Sequence, residues 1–280
     1  MILICDSGGT KGDWVLLSKD QDPYFFISPG FNPNSHDPEI YKNQLIEISR
    51  AFDKNDISKV YFYGAGCGTE SRVKLVGDLL EEVFPNAKTE VEVDLLGSAR
   101  ATCGFHRGIA CILGTGSNSG VFDGHRFVDQ LHSIGYLAGD EGGGAYMGKL
   151  LVNAYFYRDF SESLTKAFEE YFPGKHDGIL DGMYKSGAPN QFLGSFTLFI
   201  SQHQDNPLIQ AIIRKTFEDF ISRQLSKYKE YQSIPVHCIG SIAHHFREPL
   251  KQVFMDHNIL TGKIIARPLT ELVHYHQKEL

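Results

Sequence analysis

Three observations in the 280-residue chain predict an α/β fold in two similar lobes. Short β-rich runs alternate with glycine-marked turns and amphipathic stretches through the first half, as in α/β proteins. The opening hairpin has an echo: "ICDSGGTKGDW" from Ile4 aligns with "ILGTGSNSGVF" from Ile112, with Gly8 over Gly116 and Gly12 over Gly120. The length and the 42% apolar content suffice for one large domain or two of ordinary size, and the repeated hairpin favours two.

The elements follow in order. Strands are expected at 2–5, 13–17, 24–28, 59–63, 90–93, 109–113 and 120–122, where β-branched and aromatic residues cluster between turn formers. A helix over 71–84 carries Val73, Val76, Leu80 and Val83 at helical spacing and stops at Pro85, so it should cover one face of a sheet. The glycine-dense "GYLAGDEGGGAYMGK" opens a mostly helical stretch that runs to Tyr231. Within it, Asn206 as N-cap and Pro207 at the first helical position start a core-facing helix bearing Ile209, Ile212, Ile213, Phe217, Phe220 and Ile221. A strand at 236–239 runs into Gly240-Ser241, and another is expected at 264–266.

Composition removes several classes of function. The net charge of −7 is spread along the chain with no block of Lys or Arg, which excludes a nucleic-acid partner. There is no cationic leader, and no run approaches the roughly 18 apolar residues of a membrane span, so a soluble, cytoplasmic protein with no membrane partner is expected. Five cysteines without a CxxC pair indicate neither a disulfide framework nor a zinc finger. The histidine pairs His244-His245 and His274/His276 lack neighbouring ligands and read as ordinary histidines.

Five segments carry candidate chemistry. In the first turn, Gly8 and Gly9 permit positive φ and bare backbone, with the Thr10 hydroxyl and Lys11 ammonium beside them, so amide groups can converge on an anion. Asp6, at the strand end before it, suits a magnesium ion or its water shell better than phosphate, since two anions repel. A plain hairpin with a turn-forming Asp is the simpler reading. The second turn, Gly114-Thr115-Gly116-Ser117-Asn118-Ser119, has the same backbone freedom and more hydroxyls, and the pair together points to a grip on phosphates. Asp94 in "VDLLGSARA" ends a strand where a helix begins, a position for a general base or equally for an N-cap. Asp140 and Glu141 beside Gly142–Gly144 suit the hydroxyls of a sugar, or else form a solvated turn. At Gly240-Ser241 a flat base could lie on bare backbone, a weak signal taken singly.

In this order the segments "DSGGTKGDW", "GAGCG", "VDLLGSARA", "ILGTGSNS", "GDEGGGAYMGK" and "HCIGSIA" resemble the sugar kinase, hexokinase, actin and heat-shock ATPase superfamily over nearly the whole chain. Within it they are most similar to the N-acetylglucosamine kinase family, also described as BadF/BadG/BcrA/BcrD-type ATPases. The resemblance implies two ribonuclease H-like lobes, each a mixed sheet with flanking helices, around an interlobe cleft: an N-terminal lobe of 1–106 rejoined by 268–280, and a C-terminal lobe of 107–267. It implies ATP and Mg²⁺ as cofactors, an amino sugar as partner, transfer to the sugar's 6-hydroxyl, and allows a homodimer. By position Asp94 matches the catalytic base and a sugar contact, and Asp6 the magnesium-associated acid, through water. Gly8, Gly9, Thr10 and Lys11 match the first phosphate loop, and Gly114, Thr115, Gly116 and Ser117 the second. Asn118 and Asp140 match sugar contacts, Asn34 is a further one, and Gly240 and Ser241 match the adenosine loop. The chain departs from the pattern at "PLTELV", where Glu271 replaces a small residue, and it lacks the zinc-binding cysteines of repressor-type sugar kinases.

Two rival readings remain within the resemblance. An activator ATPase for an acyl-CoA dehydratase or reductase would hold an iron-sulfur cluster across a dimer and needs interface-exposed cysteines. Cys103 and Cys111 are the only close pair, and both lie in or beside apolar runs, so burial is expected. A sugar sensor without catalysis is the second rival, and the presence of every matched acid argues against it.

Overall fold

The computed structural model describes residues 1–9, 11–19, 21–33 and 36–279. The expected site residues Thr10 and Asn34 lie outside the described residues. The chain divides into two compact units: Met1–His106 with Gly124–Arg126 and Arg267–Leu280, and Arg107–Asp123 with Phe127–Ala266.

The first unit is built on β1 (Ile2–Ser7), β2 (Lys11–Leu17), β3 (Tyr24–Pro29), β4 (Lys59–Gly64) and β5 (Lys88–Val93), in the order β3-β2-β1-β4-β5. β1, β2 and β3 form an antiparallel meander, and β4 and β5 add in parallel. Helices α1 (Pro38–Ser49), α2 (Glu70–Val83) and α3 (Asp94–Cys103) belong to this unit. Central β1 is buried on both faces, which is why Ile2-Leu3-Ile4-Cys5 reads as a continuous apolar run rather than an alternation. Leu3, Cys5, Trp14, Leu16 and Phe62 pack on Tyr41 and Leu45 of α1 and Val76, Leu80 and Val83 of α2. The helix expected over 71–84 therefore does cover a sheet face. Trp14, fully buried, donates its indole N–H to Ser28 Oγ at 2.9 Å.

The second unit repeats the plan with β6 (Gly108–Leu113), β7 (Ser117–Phe122), β8 (Phe127–Gln130), β9 (Val236–Ile239) and β10 (Thr261–Ile265), ordered β10-β9-β6-β7-β8. Again three strands form an antiparallel meander and two add in parallel, with β6, β7 and β8 taking the places of β1, β2 and β3. The repeat seen in the sequence is thus a repeated topology. Its helices are α4 (Gly135–Ala138), α5 (Gly144–Phe156), α6 (Glu162–Tyr171), α7 (Lys175–Tyr184), α8 (Pro189–Ser195), α9 (Thr197–Gln202), α10 (Pro207–Arg223), α11 (Ser241–His245) and α12 (Arg247–Asp256). Asn206 caps α10 by accepting from Leu208 N–H at 3.0 Å and Ile209 N–H at 3.4 Å, and Ile209, Ile212, Ile213, Phe217, Phe220 and Ile221 are buried beneath it. The chain closes in the first unit with α13 (Leu269–His276), which packs on α3 and on β1 and β2.

Two strand starts differ from expectation for one reason, ladder pairing. Lys11 pairs with Pro29 and Gly12 with Ser7, so β2 starts two residues early, and Ser117 pairs with Leu113, so β7 starts three early. β8, with exposed Val128, was not anticipated, because its short polar run carries little pattern and owes its form to β7. No helix among the described residues is long and apolar enough to cross a membrane.

Candidate active site

In the first unit, acids gather at the C-terminal end of β1. Asp6 sits opposite Asp13 in the β1–β2 ladder, and Asp94 opens α3 directly after β5. Burial first, then the nearby Asp94 and Asp13 carboxylates, push the Asp6 carboxyl up to about 7 against the opposing charges of Arg267 and Lys11. Asp94 is likewise raised by burial, with the backbone N–H of Leu95, 2.8 Å from its Oδ1, pulling the other way. It is the first helical residue rather than the N-cap, a position taken by Val93, and it makes no ion pair among the described residues. A half-buried carboxylate without a cationic partner among the described residues is suited to accept a proton.

The turn between β1 and β2 differs from expectation in two ways. Neither Gly8 nor Gly9 adopts positive φ, and among the described residues an added Cβ would meet only ordinary contacts, Lys11 O at 3.6 Å and Asn32 Cβ at 3.8 Å. Packing among the described residues does not demand these glycines. Lys11 is not free: its Nζ lies 2.5 Å from Asp13 Oδ1, with Arg267 3.7 Å from the same oxygen. An arriving phosphate would have to compete with Asp13 for that ammonium.

Magnesium fits this acid group on chemical grounds. Crowded carboxylate oxygens with a raised proton affinity gain from a hard cation. Among the described residues no set of three or more His, Cys, Asp or Glu could hold a metal.

In the second unit three glycine segments meet backbone to backbone. The Gly114–Gly116 turn receives Gly144 N–H on Gly114 O at 2.8 Å and Ala145 N–H on Thr115 O at 2.9 Å, so the start of α5 is docked onto it. A Cβ on Gly143 would stand 2.7 Å from the Gly116 carbonyl carbon, and one on Gly116 2.6 Å from Asp140 Oδ2. Gly240, at φ +124°, brings β9 so close to the end of β6 that a Cβ would overlap Leu113 O. The bare backbone at 240 is therefore required by packing, whatever a ligand adds. Ser241 is exposed at the start of α11. The N–H groups of Thr115 and Gly116 make no hydrogen bond among the described residues, which leaves them available to an anion.

Asn118 and Asp140, expected as sugar contacts, line one cavity of about 520 Å³ in this unit, together with Ser117 and Glu141. Asp140 holds a left-handed backbone at φ +59°, accepts from Ser117 N–H at 3.4 Å, and is raised by burial. It is half-buried beside buried Gly142–Gly144, not part of a solvated turn. Asn118 spends its carbonyl on Ser119 N–H at 2.9 Å, which leaves its amide N–H groups for the cavity.

The far wall was not foreseen. Tyr146 of α5 donates to Asp219 Oδ2 at 2.6 Å, Lys215 pairs with Asp219 at 2.9 Å, and Arg223 and Gln224 complete it from the end of α10. Residues 215, 219 and 223 do recur at helical spacing, but a polar stripe reads as a solvent face until its neighbour is known. All five cysteines are buried and free, and burial, then Asp94, push the Cys67 thiol up to about 11.

No family model matches the chain. Among solved structures, a candidate N-acetylglucosamine kinase from Porphyromonas gingivalis is 36% identical with a TM-score of 0.94, over 99% of each chain. A second, from Chromobacterium violaceum, is 19% identical with a TM-score of 0.72 over 98% of each chain. A ROK family glucokinase from Streptomyces griseus, in complex with glucose and AMPPNP, is 16% identical with a TM-score of 0.59 over 99% of this chain and 98% of that one. The last two likenesses show a shared fold, the two-lobed sugar kinase and actin-like ATPase architecture.

Proposed function

The chain belongs to the N-acetylglucosamine kinase family, and we propose that it transfers the γ-phosphoryl group of ATP to the 6-hydroxyl of an amino sugar, N-acetylglucosamine or its lactyl ether N-acetylmuramic acid. The observation that carries this reading is Asp94: a carboxylate raised by burial, fixed by Leu95 N–H, with no cation paired to it among the described residues. Such a group is a general base for a hydroxyl, an effect worth ~10²–10⁴-fold.

Each unit supplies its own part. Asp94 removes the sugar hydroxyl's proton as the oxygen attacks phosphorus and ADP leaves. The open amides of Thr115 and Gly116, the bare turn at Gly8-Gly9 and the Lys11 ammonium offer fixed positive charge to the phosphates. Magnesium, when bound through Asp6 and water, supplies further charge neutralisation on the phosphate oxygens. Asn118 and Asp140 orient the amino sugar from the cavity wall, and Gly240 and Ser241 border the adenosine.

A coupled ADP-release assay across a panel of amino sugars tests this. Asp94→Asn should lower turnover at least ~100-fold while titration calorimetry still detects sugar and nucleotide binding. Near-normal turnover by that variant sinks the assignment of the base. The activator reading gains nothing, since a shared cluster needs exposed thiols and each described cysteine is buried.

A further inference from the structure

A chain of hydroxyl and amide groups links the end of α10 to the second glycine turn, and its directions can be worked out. Tyr228, 1% exposed, has its phenol oxygen 2.9 Å from Ser119 O and 3.0 Å from Ser119 Oγ, donates its one proton to this residue, and accepts Leu131 N–H at 3.3 Å. Ser119 Oγ donates to Gln224 Oε1 at 3.2 Å, and Gln224 Nε2 donates to Ser117 Oγ at 2.8 Å. The amide thus consumes one lone pair of Ser117 and leaves its proton. Among the hydroxyls of this network, Ser117 O–H is the one whose proton has no acceptor among the described residues. It stands in the wall of the cavity that Asn118 and Asp140 line.

We propose that Gln224 is a positioning residue, which holds the Ser117 hydroxyl as a hydrogen-bond donor toward a substrate oxygen. That oxygen is an acceptor on phosphate or on the sugar. Ser117 could otherwise turn its proton back to a protein acceptor, as Ser119 does. Gln224 suits the task because a primary amide presents a donor and an acceptor at once, one for each serine. Its place is set by the fold: it is the C-cap residue of α10, held by its own N–H on Phe220 O at 2.9 Å, over a helix face that is buried. The inference rests on the kinase reading of the same site.

Gln224→Glu is the discriminating variant. A carboxylate has no N–H, so both serine protons would point to it and Ser117 would cease to donate to substrate. Gln224→Ala leaves Ser117 free to rotate. The expected result is a loss of about tenfold or more in kcat/KM for Gln224→Glu, larger than for Gln224→Ala, consistent with one charge-assisted hydrogen bond. In a Ser117→Ala background the Glu substitution should cost almost nothing more. A KM increase confined to ATP assigns the oxygen to phosphate, and one confined to the amino sugar assigns it to the sugar. Thermal melting of each variant excludes unfolding, and Ser117→Ala with wild-type Gln224 gives the same test without altering α10. Equal losses for Glu and Ala, or an undiminished Glu effect without the Ser117 hydroxyl, overturn the positioning role. Absence of any sugar-dependent ADP release from the wild-type protein would instead refute the kinase reading itself.

Discussion

Replacing Asp6 with Asn should make the metal-free protein more stable at neutral pH, although Asp6 is assigned to the metal. Burial and two neighbouring carboxylates raise its pKa from an ordinary 3.8 to about 7. Between those values the folded state holds a proton that the unfolded state has lost, so stability falls as pH rises through the window. A shift of about three units at ~1.4 kcal/mol each bounds the penalty of the charged form near ~4 kcal/mol, and relaxation around the site brings it to ~2–4 kcal/mol. Urea unfolding of wild type and Asp6→Asn at pH 4 and pH 8, in chelator, measures it directly. The two should differ by less than ~1 kcal/mol at pH 4, where folded Asp6 is protonated and its unfolded-state carboxyl is only about half ionised, and the variant should be the more stable at pH 8 by that amount. Because other groups titrate in both proteins, the difference between them isolates Asp6. Equal stability at pH 8, or a wild type that gains on the variant from pH 4 to pH 8, would refute the account. Added Mg²⁺ should stabilise wild type at pH 8 and not the variant, as expected for a ligand that binds only the folded state through this carboxylate.

Glycine substitutions separate packing from ligand binding. Gly240→Ala should cost more than ~2 kcal/mol in chemical denaturation, because φ +124° and the overlap with Leu113 O both oppose a side chain. Gly8→Ala should stay within ~1 kcal/mol of wild type, its nearest contact being an ordinary 3.6 Å, yet weaken nucleotide binding in calorimetry. A stability loss at Gly8 as large as at Gly240 would contradict the bare-backbone role of the first turn. Asn206→Ala should lower stability by ~1 kcal/mol through loss of the α10 cap and leave sugar KM unchanged.

Much of the architecture was legible because local patterns carry it. Pro207 after Asn206, the stop at Pro85 and the apolar run of β1 each specify an element without reference to distant residues. The hairpin echo went further, since two copies of one local signal implied two copies of one topology, and both sheets have it. The order of glycine and acid motifs was enough to indicate the family, now supported by 36% identity over 99% of a solved chain.

Local pattern could not say what faces what. The 215/219/223 stripe of α10 gives the side of a helix but not the Tyr146 that covers it. The sequence puts the Lys11 ammonium beside the glycine turn but not its ion pair: the β2 pleat puts Asp13 two residues on and on the same face, within reach of it. Gln224 carries no signal at all in the sequence; its role exists only because the end of α10 meets Ser117 and Ser119 across a hundred residues of chain. The sequence by itself determined most of the strands, the α10 cap and the glycine turns, which depend on neighbours a few residues apart. Only the tertiary structure decided proton affinities and hydrogen-bond directions, because burial and through-space charge come from residues that sequence separation does not bring near.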